Sequence, residues 1–586
     1  MRLLSRLIFL FIFSTFYSQT NFNFVLSNSI PEYKVNKDSI QYEKKKFLPF
    51  SSLNSKINSA FIQNRSYGGI GQANTISIDG GFSSHTRVGW NNLNIEIGQM
   101  SSFDVSLLPL EFVDQIEIYR DNLSSYGIFG QGGFVNFLSP SITKNAVIDF
   151  SIESYDTYQG KLILNSIQNG FKGKAGFSFI SSSNSYPYID KYGFSNTTQN
   201  LDFKRMSFFS DIILPYANFS FTHTYKNGGT GVSYNTSPRQ EDIFDTFSIS
   251  TKIFETTLNS GFINWENNYK LNNSLDKHIN RTFSLELIND FVFFDTKNTI
   301  KPVIKYFSVD STKLSNIYSY QFELIYSLNY ALNKVNFDFS INNVYRKDYD
   351  VFLIPGLGIS YNIIEGLKIF SSISRGFLFP SFNDLYWPVD NFSSGNSNLS
   401  PEDGLRWQSG VVLFFQPVYF NTTYTENYIN NQILWKPDNT GKWKPDNIGK
   451  VFSRIMNFTI KYEDIFYLFK LGGDLSFSYN YTINNDEDSI YYKKRILYVP
   501  LYKWAFSLWT VYENNFEFNL GFRSISERFT VEDNTAWLNA YNLMDLYFRV
   551  YFFYFSVENV FDVSYEEISG YPQKGRIYKA GIKFEF

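Results

Sequence analysis

The segment Arg576–Phe586, RIYKAGIKFEF, alternates strictly. Tyr578, Ala580, Ile582, Phe584 and Phe586 fall on one face, and Lys579, Gly581, Lys583 and Glu585 on the other. A period of two is that of an extended strand, whose successive side chains point to opposite faces. Aromatics on one face and charges on the other suit a strand with lipid on one side and water on the other. Segments of about ten residues with this alternation, parted by Asn, Asp, Gly and Ser, recur from about residue 141 onward. The strand expected around Asp545 to Val557 is apolar almost throughout and turns at Asn559 and Asp562. Aromatic residues make up 20% of the chain while 18% is charged, a balance natural to two-faced strands.

The fold class expected is therefore an all-β membrane protein, an antiparallel transmembrane barrel spanning residues 141–586. At about 20 residues per strand and connection, the roughly 445 residues available make about 22 strands. A barrel that wide has a lumen that must be closed. Residues 46–140, rich in Gly and Ser with short strand-like runs, are the expected plug inside it. Arg2 and Arg6 followed by the apolar run Leu7–Phe13 and small residues predict a signal peptide over 1–18. Residues 19–45 then form an N-terminal periplasmic segment. No later apolar stretch approaches the ~20 residues of a spanning helix, so any membrane crossing is made by strands.

Other classes are disfavoured. A net charge of −3 gives no footing for nucleic acid. The absence of Cys removes disulfides, thiolate metal sites and thiol nucleophiles. Three scattered His and no catalytic motif argue against an enzyme. The charged stretches Asn184–Phe203, Lys226–Asp245 and Trp435–Lys450 read as outer loops. Two acidic clusters, Glu241/Asp242/Asp245 and Asp486/Glu487/Asp488, are places where loop calcium could bind, although solvated turns explain them equally. No other cofactor is expected.

The N-terminal region carries SYGGIGQANTISIDGG (66–81), SSHTRVGWNNLNIEIGQMSSFDVSLLP (83–109) and FVDQIEIYRDNLSSYGIFGQGGFVNFLSP (112–140). These resemble the plug of TonB-dependent outer-membrane transporters. IEIYR (116–120), Tyr126-Gly127 and Gly132-Gly133-Phe134-Val135-Asn136 fill that family's closing segment. Two places depart from its pattern, Arg120-Asp121-Asn122 for Arg-Gly-Pro and Gly89-Trp90-Asn91-Asn92 for an Asp-Gly turn. Asn tolerates positive φ, so the backbone can survive both. Residues 366–388, 395–411 (with Pro401 and Glu402) and 557–576 resemble barrel segments of the same family, in the same order.

The resemblance implies binding at the outer face, plug movement driven by TonB and its inner-membrane energising complex, and release into the periplasm. SSHTRV followed by GQMSSFDVSLLP is most similar to the cobalamin-transporter branch, with ferric siderophores the second expectation. Mapped onto this chain, the substrate-facing plug apices are Gly81, Phe82, Ser83, Ser84 and His85, and Glu96, Gln99, Met100, Ser101 and Ser102. Phe103 would add apolar cover. The segment expected to add as a strand to TonB is Ile30, Pro31, Glu32, Tyr33, Lys34 and Val35, with 23–26 a second candidate. Arg65, Arg87 and Arg120 are expected to pair with barrel carboxylates such as Glu402. His85 has a second reading, as a hydrogen-bonded link between strand and loop, and His223 and His278 read as wall or loop residues. The expected partners are TonB, a cobalamin or iron-chelate ligand and outer-membrane lipid, around a monomer. The alternatives are a porin, or an adhesin or receptor barrel without TonB-coupled transport.

Overall fold

The computed structural model describes residues 42–586 except 47, 121–131, 141–143, 169, 191, 232–235, 438–440 and 514. The expected signal peptide, most of the periplasmic segment, both candidate TonB-contact segments, Asp121-Asn122 and Tyr126-Gly127 lie outside the described residues.

Twenty-two antiparallel strands close into one barrel. Closure is made by Ile577–Glu585 against Ala146–Glu153, with Lys579 opposite Glu153 and Glu585 opposite Val147. A closed sheet leaves no edge, so its backbone groups are satisfied within the wall, as a hydrocarbon surround demands. The strand Phe203–Ile213 shows how sequence sets the faces. Phe203, Arg205, Ser207, Phe209 and Asp211 are buried toward the lumen, whereas Met206 and Phe208 face outward. In the closing strand Lys579 is buried and Tyr578 is exposed, as the alternation predicts.

The two barrel ends differ. One carries tight connections, such as Phe254–Glu255 and Asn333–Lys334, and the other carries long ones, such as 379–401, 485–501 and 559–576. In bacterial barrels the short turns are periplasmic and the long loops extracellular. Asn559 and Asp562 both have positive φ in the last of these loops, the turn chemistry read from the sequence.

Three expectations need correction. Lys226–Asp245 is a loop only between Gly229 and Arg239: its two ends belong to the wall strands Ala217–Gly229 and Arg239–Ile253. Trp435–Lys450 is largely a hairpin, since Val418–Pro437 and Trp443–Phe466 are paired through Pro437 and Trp443. The single strand around Asp545 to Val557 is two, Tyr541–Val550 and Phe553–Glu558, with a turn at Tyr551–Phe552. In the first case lumen-facing polar residues resemble loop sequence, and in the second the paired strands carry exposed polar side chains such as Lys436 and Asp446.

Inside the barrel lies a five-stranded sheet in the order Tyr42–Lys46, Gln115–Tyr119, Gly133–Leu138, Thr86–Trp90, Leu93–Ile95. Thr86–Trp90 and Gly133–Leu138 run parallel, and the other pairs antiparallel. The sheet thus takes in a strand that starts before residue 46. Gly133 has φ +89°, and a Cβ there would lie 2.1 Å from the Tyr119 carbonyl oxygen, so only glycine fits. Asn91 and Asn92 turn with φ 48° and 68°, which accommodates the departure from an Asp-Gly turn. The sheet's core of Ile116, Ile118, Val135 and Phe137 is continuous with Phe209, Phe244 and Trp265 of the wall. Among the described residues, no strand of this sheet pairs with a strand of the barrel.

Candidate functional site

The plug meets the wall around its circumference through charged and amide side chains. Asp79, in the turn after the strand Asn74–Ile78, accepts from Arg406 at 2.9 Å and from the Asn457 amide at 2.7 Å. Arg120 stands 3.9 Å from the same carboxylate. Glu96 pairs with Lys305 at 3.0 Å and with Arg87 at 3.5 Å, and Lys305 also reaches Glu323 at 2.7 Å. Burial pushes the Glu96 carboxyl up, but Lys305 and Arg87 overcome it and hold the group at about 2. Glu111 accepts from Arg205 at 2.5 Å and from the Ser178 hydroxyl. Apart from the half-buried Glu96 and Arg87 these groups are buried, so removing either partner strands the other charge away from water.

The expectation that plug arginines pair with barrel carboxylates therefore needs correction. Arg87 and Arg120 pair within the plug, and Glu402 takes His85 instead. The dominant arrangement is the reverse, with barrel cations Arg205, Lys305 and Arg406 reaching plug carboxylates. Sequence reasoning missed these three cations. Their signal was a basic residue on the lumen-facing side of an alternating strand, as in Arg205 between Phe203 and Ser207.

The ten expected substrate-facing residues divide into two sets. His85, Glu96 and Gln99 are engaged with the barrel. The His85 Nε2 donates to Glu402 at 2.6 Å, and both groups are buried. Gln99 bonds the His278 ring at 3.2 Å and accepts from the Asn280 amide at 2.7 Å. Gly81, Phe82, Ser83, Ser84, Ser101 and Ser102 are half-buried, and Met100 is exposed. Phe82 packs edge-on against His85 with centroids 5.7 Å apart. Phe103 is buried against Phe244 and belongs to the core rather than to the outer surface.

Both apices lie at the long-loop end. The short helix Phe382–Tyr386, capped by Ser381 through a reciprocal bond with Asp384, sits on the second apex. Its Phe382 and Asn383 amides donate to the Gly98 and Gln99 carbonyls. Two of the three His thus anchor the apices, and His223 bonds Asp245 on the wall.

The acidic cluster at 241–245 is divided by strand geometry. Asp242 points inward to Lys226, Trp265 and Asn267, while Glu241 is engaged by Tyr225 and Asp245 by His223. Among the described residues no three acidic or His side chains converge as a metal site would require.

Comparison with known proteins fits this architecture. Residues 144–560 match the family described as TonB dependent receptor-like, beta-barrel. Vitamin B12 transporter BtuB of Photobacterium profundum is 25% identical over 409 residues, 63% of each chain. The match thus spans slightly less than two thirds of that relative. Vitamin B12 transporter BtuB of Vibrio cholerae is 22% identical over 579 residues, covering 89% of this chain and 87% of the relative. Among solved structures, the siderophore receptor PirA from Acinetobacter baumannii superposes with a TM-score of 0.73 at 12% identity, covering 94% of this chain and 99% of that one. The copper transporter OprC gives 0.75 at 11% identity, covering 93% and 99%. A 22-stranded wall, a separately bonded sheet filling its lumen and a family match over most of the chain lead to one assignment: this protein belongs to the TonB dependent receptor-like β-barrel family of the bacterial outer membrane.

Proposed function

We propose that the protein is an energy-coupled transporter that captures a scarce, large solute at the outer face and releases it into the periplasm when TonB displaces the plug. The observation that carries this reading is the lumen filled by a sheet that, among the described residues, has no ladder to the wall. Such a plug can shift by exchanging side-chain bonds, without opening the barrel. A passive porin would need an open lumen.

Cobalamin is the substrate we favour, because the curated relatives matched over most of this chain carry that name. The siderophore receptors among the structural neighbours support a ferric siderophore as the second reading. Phe82–Ser84 and Met100–Ser102 are the apex residues we assign to the ligand, with Gly81 giving backbone approach. His85, Glu96 and Gln99 would report ligand arrival to the wall, through Glu402, Lys305 and His278. Residues 30–35 are assigned to TonB by strand addition.

The test is removal of residues 20–40, stopping short of Tyr42 because Tyr42–Lys46 is part of the plug sheet. Cyanocobalamin binding should persist and energised uptake should be lost. Uptake equal to that of the intact chain would overturn TonB coupling.

A further inference from the structure

At the short-turn end, a cleft of about 60 Å³ lies between the plug turn at Asn91–Asn94 and the wall strands Phe203–Ile213, Ala217–Gly229, Arg239–Ile253, Thr256–Leu271 and Ser274–Phe293. It has room for several waters, since one needs only about 10–15 Å³. Its lining mixes amide and hydroxyl groups with Leu93, Phe219 and Ile249, and carries Asp211, Glu286, Glu96 and Lys305. Asn91 Nδ2, Asn94 Oδ1, Asn218 Oδ1, Ser250 Oγ and both amide atoms of Asn259 are buried there without a protein partner. Stranding so many amide and hydroxyl groups together is costly unless something polar reaches them. Two of its carboxylates are already committed, because Asp211 is held by Lys174, Ser139 and Ser220, and Glu286 by Lys301.

Toward the outer face the cleft ends at Glu96 and Lys305, both of which line it. Thr282 donates to the Glu96 carbonyl at 2.7 Å. Directly above, Gln99 is bonded to Asn280 and His278 beneath the apex. One strip of the plug–wall boundary thus runs from an apex residue through a single ion-paired layer into an amide-lined mouth. A second cavity among the described residues is different in kind. It is lined by charged groups of both signs, Lys56, Glu111, Arg205, Glu153, Glu558 and Lys574.

We infer that the Asn- and Ser-lined cleft is the periplasmic mouth of the transport passage, suited to a neutral solute with an amide-bearing rim, and that the Glu96–Lys305 pair closes it. Primary amides offer donors and acceptors in equal measure, so an amide-bearing solute can be passed between them without a strong resting point. An anionic iron chelate would meet three carboxylates, Glu96, Asp211 and Glu286, against the single ammonium of Lys305. The inference rests on the uptake reading above.

The chain has no Cys, so one introduced thiol is unique. Ser250→Cys, a near-isosteric change in the cleft, is compared with Ser507→Cys, buried at the plug–wall boundary near Asn58. Both full chains are treated with a bulky maleimide in outer-membrane vesicles and in cells. Ser250→Cys should label roughly tenfold faster, and its labelled form should bind cyanocobalamin normally but take it up roughly tenfold more slowly. Equal labelling rates overturn the mouth, and uptake unaffected by complete labelling overturns the passage. If unlabelled Ser250→Cys neither binds nor imports cyanocobalamin while the unmodified chain does neither, the uptake reading fails, and the solute assignment with it. The closure is tested at Asn280→Cys. Its labelling should quicken severalfold when Glu96→Gln and Lys305→Met are added, and an unchanged rate overturns the gate.

Discussion

Asp79 concentrates the seating of the plug in one carboxylate. It faces Arg406 and Arg120 and accepts the Asn457 amide, all in buried surroundings. Asp79→Ala removes the carboxylate that faces both guanidinium groups, and breaking a buried pair costs about 3–5 kcal/mol. The plug of this variant should become sensitive to protease at lower urea than that of the parent, with the barrel unaffected; equal sensitivity would refute the role. Glu96 gives a pH signature. Its folded value of about 2 lies below the ordinary 4.5, so its contribution is complete above about 4.5 and is lost as pH falls toward 2. Protease resistance of the plug should hold from neutral pH to about 5 and decline below it, with Glu96→Gln showing less of that decline. A Glu96→Gln profile superposing on the parent would count against the ion pair. Sequence alone could mark His85 as unusual, since it is one of three His. It could not supply Glu402, a partner 317 residues away that only barrel closure brings near.

Elements were legible where local chemistry decides them. Period-two alternation located the closing strand and its faces, and Asn91, Asn92, Asn559 and Asp562 read correctly as turn residues because few side chains accept positive φ. Legibility failed where the lumen substitutes for solvent. Lys226 and Asp242 look like loop residues, yet they face each other inside the wall at 3.6 Å. The plug apices were placed at the outer end by resemblance, but the helix Phe382–Tyr386 that covers one of them depends on a long-range contact with Gly98. The sharpest test at this scale is Gly133→Ala. The added Cβ would meet the Tyr119 carbonyl, and φ +89° disfavours any side chain. The strand Gly133–Leu138 bonds Gln115–Tyr119 on one side and Thr86–Trp90 on the other, so its displacement splits the plug sheet. Gly133→Ala should assemble a barrel with heat-modifiable gel mobility but a plug that is digested in native buffer. A plug as resistant as the parent's would show that the backbone relaxes around the methyl group.

The whole molecule joins two hydrogen-bonded systems of different kinds. The wall is a closed ladder in which every strand pairs with two neighbours, and it is held further by lipid-facing aromatics such as Phe208 and Tyr578. The plug is a small open sheet, joined to that wall by ion pairs, amide bonds, apolar packing and the loop amides of Phe382 and Asn383. Those contacts end in a polar boundary with many buried atoms lacking a protein partner, so water and denaturant can compete there. The two systems should therefore come apart in order. Urea should release the plug first, seen as protease cleavage between residues 48 and 120, while the barrel keeps its faster migration on an unboiled gel. Only boiling in detergent should then slow it. If plug cleavage and loss of the fast-migrating form instead coincide across the urea series, plug and wall are one cooperative unit. Transport would then require loosening the wall itself, and plug displacement inside an intact barrel would have to be abandoned.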